Sequence, residues 1–248
     1  MRNAVAVGYA NASLKEEAGI LADKLQLALD NALFPQLCLT EDKLVLLLTG
    51  FSPLFADFSV KTLQRRRDAG KKQGLVKACK PFPGKRILDA TGGWGRDAAI
   101  LASFGAQVLL IERNPVMAAL LADALQRIPP ESRLRHSLSL QSLDAKCYLQ
   151  ELSPNVYPDV IYIDPMHPVR EKSALVKKEM QALQQILGAD EDALALLQTA
   201  LPRARERVVV KWPHRLEPLM PPDLSFDGKT VRFDVYLTNK KAAGKKTS

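Results

Sequence analysis

Arg86-Ile87-Leu88-Asp89-Ala90-Thr91-Gly92-Gly93-Trp94-Gly95-Arg96-Asp97 decides the architecture of this 248-residue chain. Ile87–Ala90 reads as a short buried strand with an acid near its end, followed by a glycine turn and the start of a helix. That is the build of a cofactor cradle. Glycines turn the backbone sharply and admit a ligand that a Cβ would repel, while the unpaired N–H groups of the helix start point into the same crevice.

Downstream of this stretch the pattern alternates. Strands are predicted at Gln107–Ile111, Ser137–Gln141, Val160–Ile163, Val208–Lys211 and Val231–Leu237, with helices at Asp97–Phe104, Val116–Gln126, Ala145–Leu152, Ala174–Leu187 and Asp192–Arg203. Such alternation predicts an α/β fold, a Rossmann-like, mainly parallel central sheet with helices on both faces and ligands at the carboxyl ends of the strands. This domain is assigned to residues 81–239, opened by Pro81-Phe82-Pro83-Gly84, with Lys240–Ser248 as a basic tail. Residues 1–80 lack the alternation and read as a small N-terminal α/β extension. There Ser13 and Glu16 have capping-box spacing, Leu21, Leu25 and Leu29 recur at helical spacing, and Leu44–Leu48 is a strand candidate.

Composition narrows the class. With 47% hydrophobic and 25% charged residues the chain reads as a globular protein, and with no apolar run long enough to span a bilayer and no secretory signal its expected location is the cytoplasm. Cys38, Cys79 and Cys147, like His136, His167 and His214, are dispersed without metal-ligand spacing, so no metal is expected. The net charge of +8 is local in origin: Lys61 to Arg86 holds ten basic residues and one acid, Asp68. A helix breaking into a mobile loop is expected there, at Gly70 and Gly74. A basic block beside a cofactor cradle suits a polyanion, and Arg65, Arg66, Arg67, Lys71 and Lys72 are candidate RNA contacts. A merely solvated helix face is the plain alternative.

Gly93-Trp94-Gly95-Arg96-Asp97-Ala98 fits the dinucleotide fingerprint, which keeps an NAD-dependent oxidoreductase in play. Asp89 and Asp97, however, would repel a diphosphate at this turn. S-adenosylmethionine, with an ammonium and a sulfonium, suits these acids better, although Asp97 is also well placed simply to complement the helix dipole. Glu112, 23 residues after Asp89, ends the second strand, where a carboxylate can accept both ribose hydroxyls of an adenosine. Asp144 either reaches the adenine amino group or caps the helix after it. Asp164-Pro165-Met166-His167-Pro168 favours S-adenosylmethionine over NAD, because it resembles the Asp/Asn-Pro-Pro-aromatic motif of methyltransferases acting on exocyclic amines of bases. Acceptors on the two amine hydrogens, from Asp164 and the Pro165 carbonyl, would aim the nitrogen lone pair at a methyl group, and His167 would stack on an extruded base. A third reading, a non-catalytic RNA-binding module, uses the basic segment alone.

The chain resembles the ribosomal RNA small subunit methyltransferase J family of bacterial enzymes. The resemblance rests on Asp89-Ala90-Thr91, Gly95-Arg96-Asp97-Ala98, Glu112-Arg113-Asn114-Pro115, Asp164-Pro165-Met166 with Pro168, Lys172 to Met180, Arg207 to Lys211, and Arg232-Phe233-Asp234. It implies a class I S-adenosylmethionine-dependent methyltransferase acting on the N2 amine of a guanine near the 3′ end of 16S rRNA, free or in the 30S subunit. Arg96, Asp97, Glu112, Arg113, Asp144 and Asp164 would then line the cofactor site, with Asp89, Gly93 and Gly95 of the cradle, and Lys172, Lys177 and Lys178 would grip phosphates. The sequence departs from the family pattern at His167, where phenylalanine is expected, and at Gly92-Gly93-Trp94, which ends in a bulkier residue.

Overall fold

Ile87-Leu88, Val108 to Ile111, Val160 to Ile163 and Val208-Val209-Val210 are apolar on both faces, as strands covered by helices on both sides must be. In the computed structural model these runs form the centre of a seven-stranded sheet ordered β6-β5-β4-β7-β8-β10-β9. Its strands are β4 (Arg86–Asp89), β5 (Gln107–Ile111), β6 (Leu138–Gln141), β7 (Val160–Ile163), β8 (Arg207–Pro213), β9 (Leu224–Asp227) and β10 (Val231–Leu237). The structure describes residues 5–59, 61, 63, 64, 68, 70–165, 192–228 and 230–238. Strands β4 to β8 run parallel, and β10 is inserted antiparallel between β8 and β9.

The period-2 pleat divides the core in two. Ile87, Tyr162, Val209 and Phe233 face one layer, with Ala98 to Ala102 of the helix Arg96–Ser103 and Leu75 to Cys79 of the helix Gly74–Cys79. Leu88, Ile161, Ile163 and Val208 face the other, with Leu149 of the helix Ala145–Glu151 and Leu196, Leu197 and Ala200 of the helix Ala193–Ala200. All the carboxyl ends of β4, β5, β7 and β8 therefore meet at one edge.

The N-terminal residues form a second, three-stranded sheet: β1 (Ala6–Tyr9) pairs parallel with β2 (Gln36–Leu39), which pairs antiparallel with β3 (Leu44–Leu47). Leu37, Leu44 and Leu46 pack on Val116, Met117 and Leu120 of the helix Pro115–Gln126. This extension is thus built onto the helix that follows β5.

Three local expectations are corrected. Asn11 accepts from the Ser13 N–H at 2.8 Å and caps a 3-10 turn, Ala12–Leu14, so the α-helix Lys15–Leu25 begins later than a Ser13 cap would place it. Leu29 lies outside that helix and is 39% exposed. Gly74 starts a helix instead of breaking one, and its lack of a side chain serves packing, since a Cβ there would fall 2.7 Å from the Phe233 ring of β10. The predicted helix Ala174–Leu187 lies outside the described residues.

Gly95 joins the two parts of the chain. It has φ +67°, and a Cβ would lie 2.7 Å from Phe58 Cζ. Gly95→Ala should lower the unfolding free energy by about 2–4 kcal/mol, combining the left-handed penalty with the displaced ring. Gly50, at φ +81° with nothing within 4 Å of a Cβ, should cost only the conformational part, about 1–2 kcal/mol. Urea denaturation of both alanine variants checks this, and equal losses would mean that the Phe58 contact is inconsequential.

Candidate functional site

The edge where the parallel strands end carries a charged residue on four of the five: Asp89 on β4, Glu112 just after β5, Asp164 just after β7 and Lys211 within β8. A cleft open to solvent lies along this edge. Thr91, Gly93, Glu112, Arg113, Asp144 and Asp164 are among its walls, together with Met117, Pro165 and Asp192.

Glu112 ties the cradle together. Its carboxylate accepts from the Gly93 N–H and from the Asn114 N–H, each at 2.8 Å, so the glycine turn and the entry to the next helix are fixed to one side chain. Gly93 has φ +50°, with only the Thr91 carbonyl near the position of a Cβ, at 3.7 Å, which leaves this point of the turn open to the cleft. Gly92 serves packing, since a Cβ would sit 3.2 Å from the Ile111 carbonyl. Gly95 serves the Phe58 contact and does not line the cleft, and Arg96 is exposed away from its walls.

The rim is an ion cluster. Arg113 Nη1 lies 3.2 Å from Asp192 and 3.9 Å from Asp144, and Lys146 Nζ lies 2.8 Å from Asp192. Asp144 also caps the helix Ala145–Glu151 through the Lys146 and Cys147 N–H groups, so the capping role holds while the residue borders the cleft. Lys146 holds the Asp192 carboxyl below its ordinary range, against the opposing effect of burial.

Beneath the cleft lies a buried network. Asp97 Oδ2 accepts from Tyr162 Oη at 2.6 Å and from Lys211 Nζ at 3.1 Å. The same ammonium donates to Asp164 Oδ2 at 2.7 Å, and the Asp164 N–H donates to Thr91 Oγ1 at 2.7 Å. Asp97 is therefore spent on Tyr162 and Lys211 and is not among the cleft walls, where a ligand ammonium would meet it. Burial opposes the charge on Lys211, but Asp97 and Asp164 together hold its proton well above the ordinary lysine value. Asp89 is 2% exposed and accepts from the Thr91 N–H at 3.1 Å.

Lys211 and Tyr162 were not singled out from sequence. A legible signal existed for the lysine: it closes the apolar run Val208-Val209-Val210 as Asp164 follows Val160 to Ile163. Tyr162 gave none, because inside a strand it reads as core. His167, Lys172, Lys177, Lys178, Arg65, Arg66 and Arg67 lie outside the described residues, as does the Lys71 side chain. Lys72 is exposed in the 3-10 turn Gly70–Lys72. Lys85, counted in the basic block, is 2% exposed and paired with Glu206 at 2.7 Å, so it belongs to the core. Among the described residues no group of three or more His, Cys, Asp or Glu side chains could hold a metal, and no helix is long and apolar enough to cross a membrane.

The acid-rich wall and the open turn at Gly93 fit a cationic nucleoside better than a dinucleotide. Comparison with known proteins agrees. Residues 20–238 match a family model described as "Putative SAM-dependent methyltransferase". A ribosomal RNA small subunit methyltransferase J from Legionella pneumophila (strain Corby) is 57% identical over 237 residues, 96% of this chain and 98% of that protein. One from Coxiella burnetii (strain Dugway 5J108-111) is 43% identical over 251 residues, with 96% and 98% covered. The crystal structure of a SAM-dependent methyltransferase from Neisseria gonorrhoeae superposes with a TM-score of 0.74 at 29% identity, covering 98% of this chain and 99% of that one.

Burial pushes the Asp89 carboxyl up to about 8, the Thr91 N–H opposes this, and the nearby acids Asp97, Asp164 and Glu112 add to the rise. The folded state therefore holds a proton that the unfolded chain has lost above about pH 4, and stability falls as pH rises from there towards 8. Asp89→Asn keeps the acceptor for Thr91 without the charge. Relative to wild type it should gain stability from pH 5 to pH 8, read as urea midpoints at each pH; a constant difference would contradict the assignment.

Proposed function

The chain belongs to the ribosomal RNA small subunit methyltransferase J family, and on that premise we propose that it transfers a methyl group from S-adenosylmethionine to the exocyclic N2 amine of a guanine near the 3′ end of 16S rRNA. The observation that carries this reading is the placement of Asp164-Pro165 on the wall of the cleft, at the end of β7, with the Asp164 backbone locked to Thr91.

Bound S-adenosylmethionine supplies an electrophilic methyl group on a sulfonium. Glu112, oriented by two backbone N–H groups and capable of several more hydrogen bonds, is the acceptor for the ribose hydroxyls. Gly93 gives close approach to the turn, Asp144 and Arg113 form the adenine end, and Asp89, its proton retained, holds the Thr91 turn from below. The Asp164 carboxylate and the Pro165 carbonyl accept the two amine hydrogens of the guanine. This draws the nitrogen from planarity and directs its lone pair, so positioning supplies most of the rate. Asp97 acts from beneath through Lys211, and Arg96 stands at the edge of the cradle.

The substrate side is supported by where the basic segment enters. The turn Gly70–Lys72 leads into Gly74, which packs on Phe233, and Phe233 is the cross-strand partner of Lys211. Lys72, exposed in this turn, therefore stands two residues before the packing on the strand that pairs with Lys211, and with Arg65, Arg66, Arg67 and Lys71 of the same basic segment it is assigned to the RNA backbone. His167 is proposed to stack on the base, and Lys172, Lys177 and Lys178 to hold its phosphates. The cytoplasm, where ribosomal subunits reside, is the proposed location.

Tritiated S-adenosylmethionine incubated with unmodified 16S rRNA and, separately, with 30S subunits should place label in N2-methylguanosine; label in another nucleoside, or none despite cofactor binding, would reject this substrate. Asp164→Ala should slow single-turnover methylation by about 10²–10³ while cofactor affinity changes little. Glu112→Ala should instead weaken cofactor binding by about tenfold or more in calorimetry.

A further inference from the structure

Asp164 has a like charge close by. Asp97, on the helix Arg96–Ser103, is bridged to it by one ammonium and also accepts from the Tyr162 hydroxyl. A carboxylate in such company tends to take up a proton, and a protonated Asp164 would offer the amine one acceptor fewer. Among the described residues Lys211 is a cation in contact with it, its ammonium spanning Asp164 at 2.7 Å and Asp97 at 3.1 Å. The lysine side chain is 26% exposed and the Asp97 side chain 10% exposed, so the pair is screened less than a surface salt bridge. Tyr162, 1% exposed, donates to the same Asp97 oxygen.

We propose that Lys211 is a positioning residue for the methyl transfer, holding the Asp164 carboxylate ionised and aimed at the base amine, while Asp97 and Tyr162 hold the ammonium in place. This rests on the reading of Asp164 as the amine acceptor. Lys211 touches neither the cofactor nor the base in this scheme. Its work is done on Asp164, and it explains why a family member devotes Asp97, at the helix start, to a lysine below the cleft.

The experiment measures single-turnover methylation of unmodified 30S subunits at saturating S-adenosylmethionine, from pH 5 to pH 9, for wild type, Lys211→Met, Lys211→Arg and Tyr162→Phe. Lys211→Met should lose about tenfold or more in rate at neutral pH, and the acid limb of its profile should move up by about one pH unit. Lys211→Arg should keep the limb near its wild-type position. Tyr162→Phe, which retains the lysine and the ring, should move the limb less and in the same direction. A limb that stays put in Lys211→Met and Tyr162→Phe would overturn the proposal, as would a rate loss explained entirely by weaker cofactor binding in calorimetry.

A second readout does not need catalysis. In protein labelled with ¹³C at the aspartate carboxyl carbons, the Asp164 resonance, identified by its absence in Asp164→Asn, should titrate at higher pH in Lys211→Met than in wild type. An unchanged midpoint would sink the role of Lys211. Nucleoside analysis of the wild-type product reports on the guanine reading alone, so a failure of that reading and a failure of this one are separately visible.

Discussion

Parallel strands deliver their carboxyl ends to one edge, and at that edge the chain concentrates acids that must be kept apart or neutralised. Asp89, Glu112 and Asp164 close three neighbouring strands, and Asp97 opens the helix that packs beneath them. Each has its own solution. Asp89 lies under the Thr91 turn with its proton retained, Glu112 spreads its charge over two backbone N–H groups, and Asp97 and Asp164 share Lys211. The electrostatic shape of the cleft follows from this division: a negative wall for a cationic cofactor, with its charges fixed by backbone or by a buried ammonium before any ligand arrives.

Much of the main sheet was legible because its strands are buried on both faces and its helices are amphipathic or wholly apolar. Gln107–Ile111, Val160–Ile163 and Val231–Leu237 stand where periodicity put them. β9 was missed because Leu224-Ser225-Phe226-Asp227 is a half-exposed edge strand whose alternation is only four residues long. The N-terminal sheet was read as a single strand candidate, since Ala6–Tyr9 and Gln36–Leu39 are short and take their meaning from pairing with each other across an intervening helix. Local propensity cannot register such pairing.

The candidate site was legible where a residue's chemistry and its strand-end register coincide, as with Glu112, Asp144 and Asp164, which border the cleft. It was not where the same motif serves packing. Gly95 and Asp97 belong to the glycine-rich stretch as sequence, yet in space one receives Phe58 and the other anchors Lys211 and Tyr162. The fingerprint conflates contacts to a ligand with contacts that hold the cradle in shape, and only the three-dimensional neighbours separate them. The extension has a comparable double part: through Leu37, Leu44 and Leu46 it packs on the helix Pro115–Gln126, whose Met117 borders the cleft.

The antiparallel insertion of β10 reverses the chain at its end. Leu237 pairs with Arg207 at the start of β8, and the Thr238 N–H donates to the Glu206 carbonyl, so the last described residue lies at the edge remote from the cleft. Whatever is carried beyond Thr238 is thus rooted on the side of the sheet opposite the open edge, so the attachment point itself does not compete with a large particle for that edge.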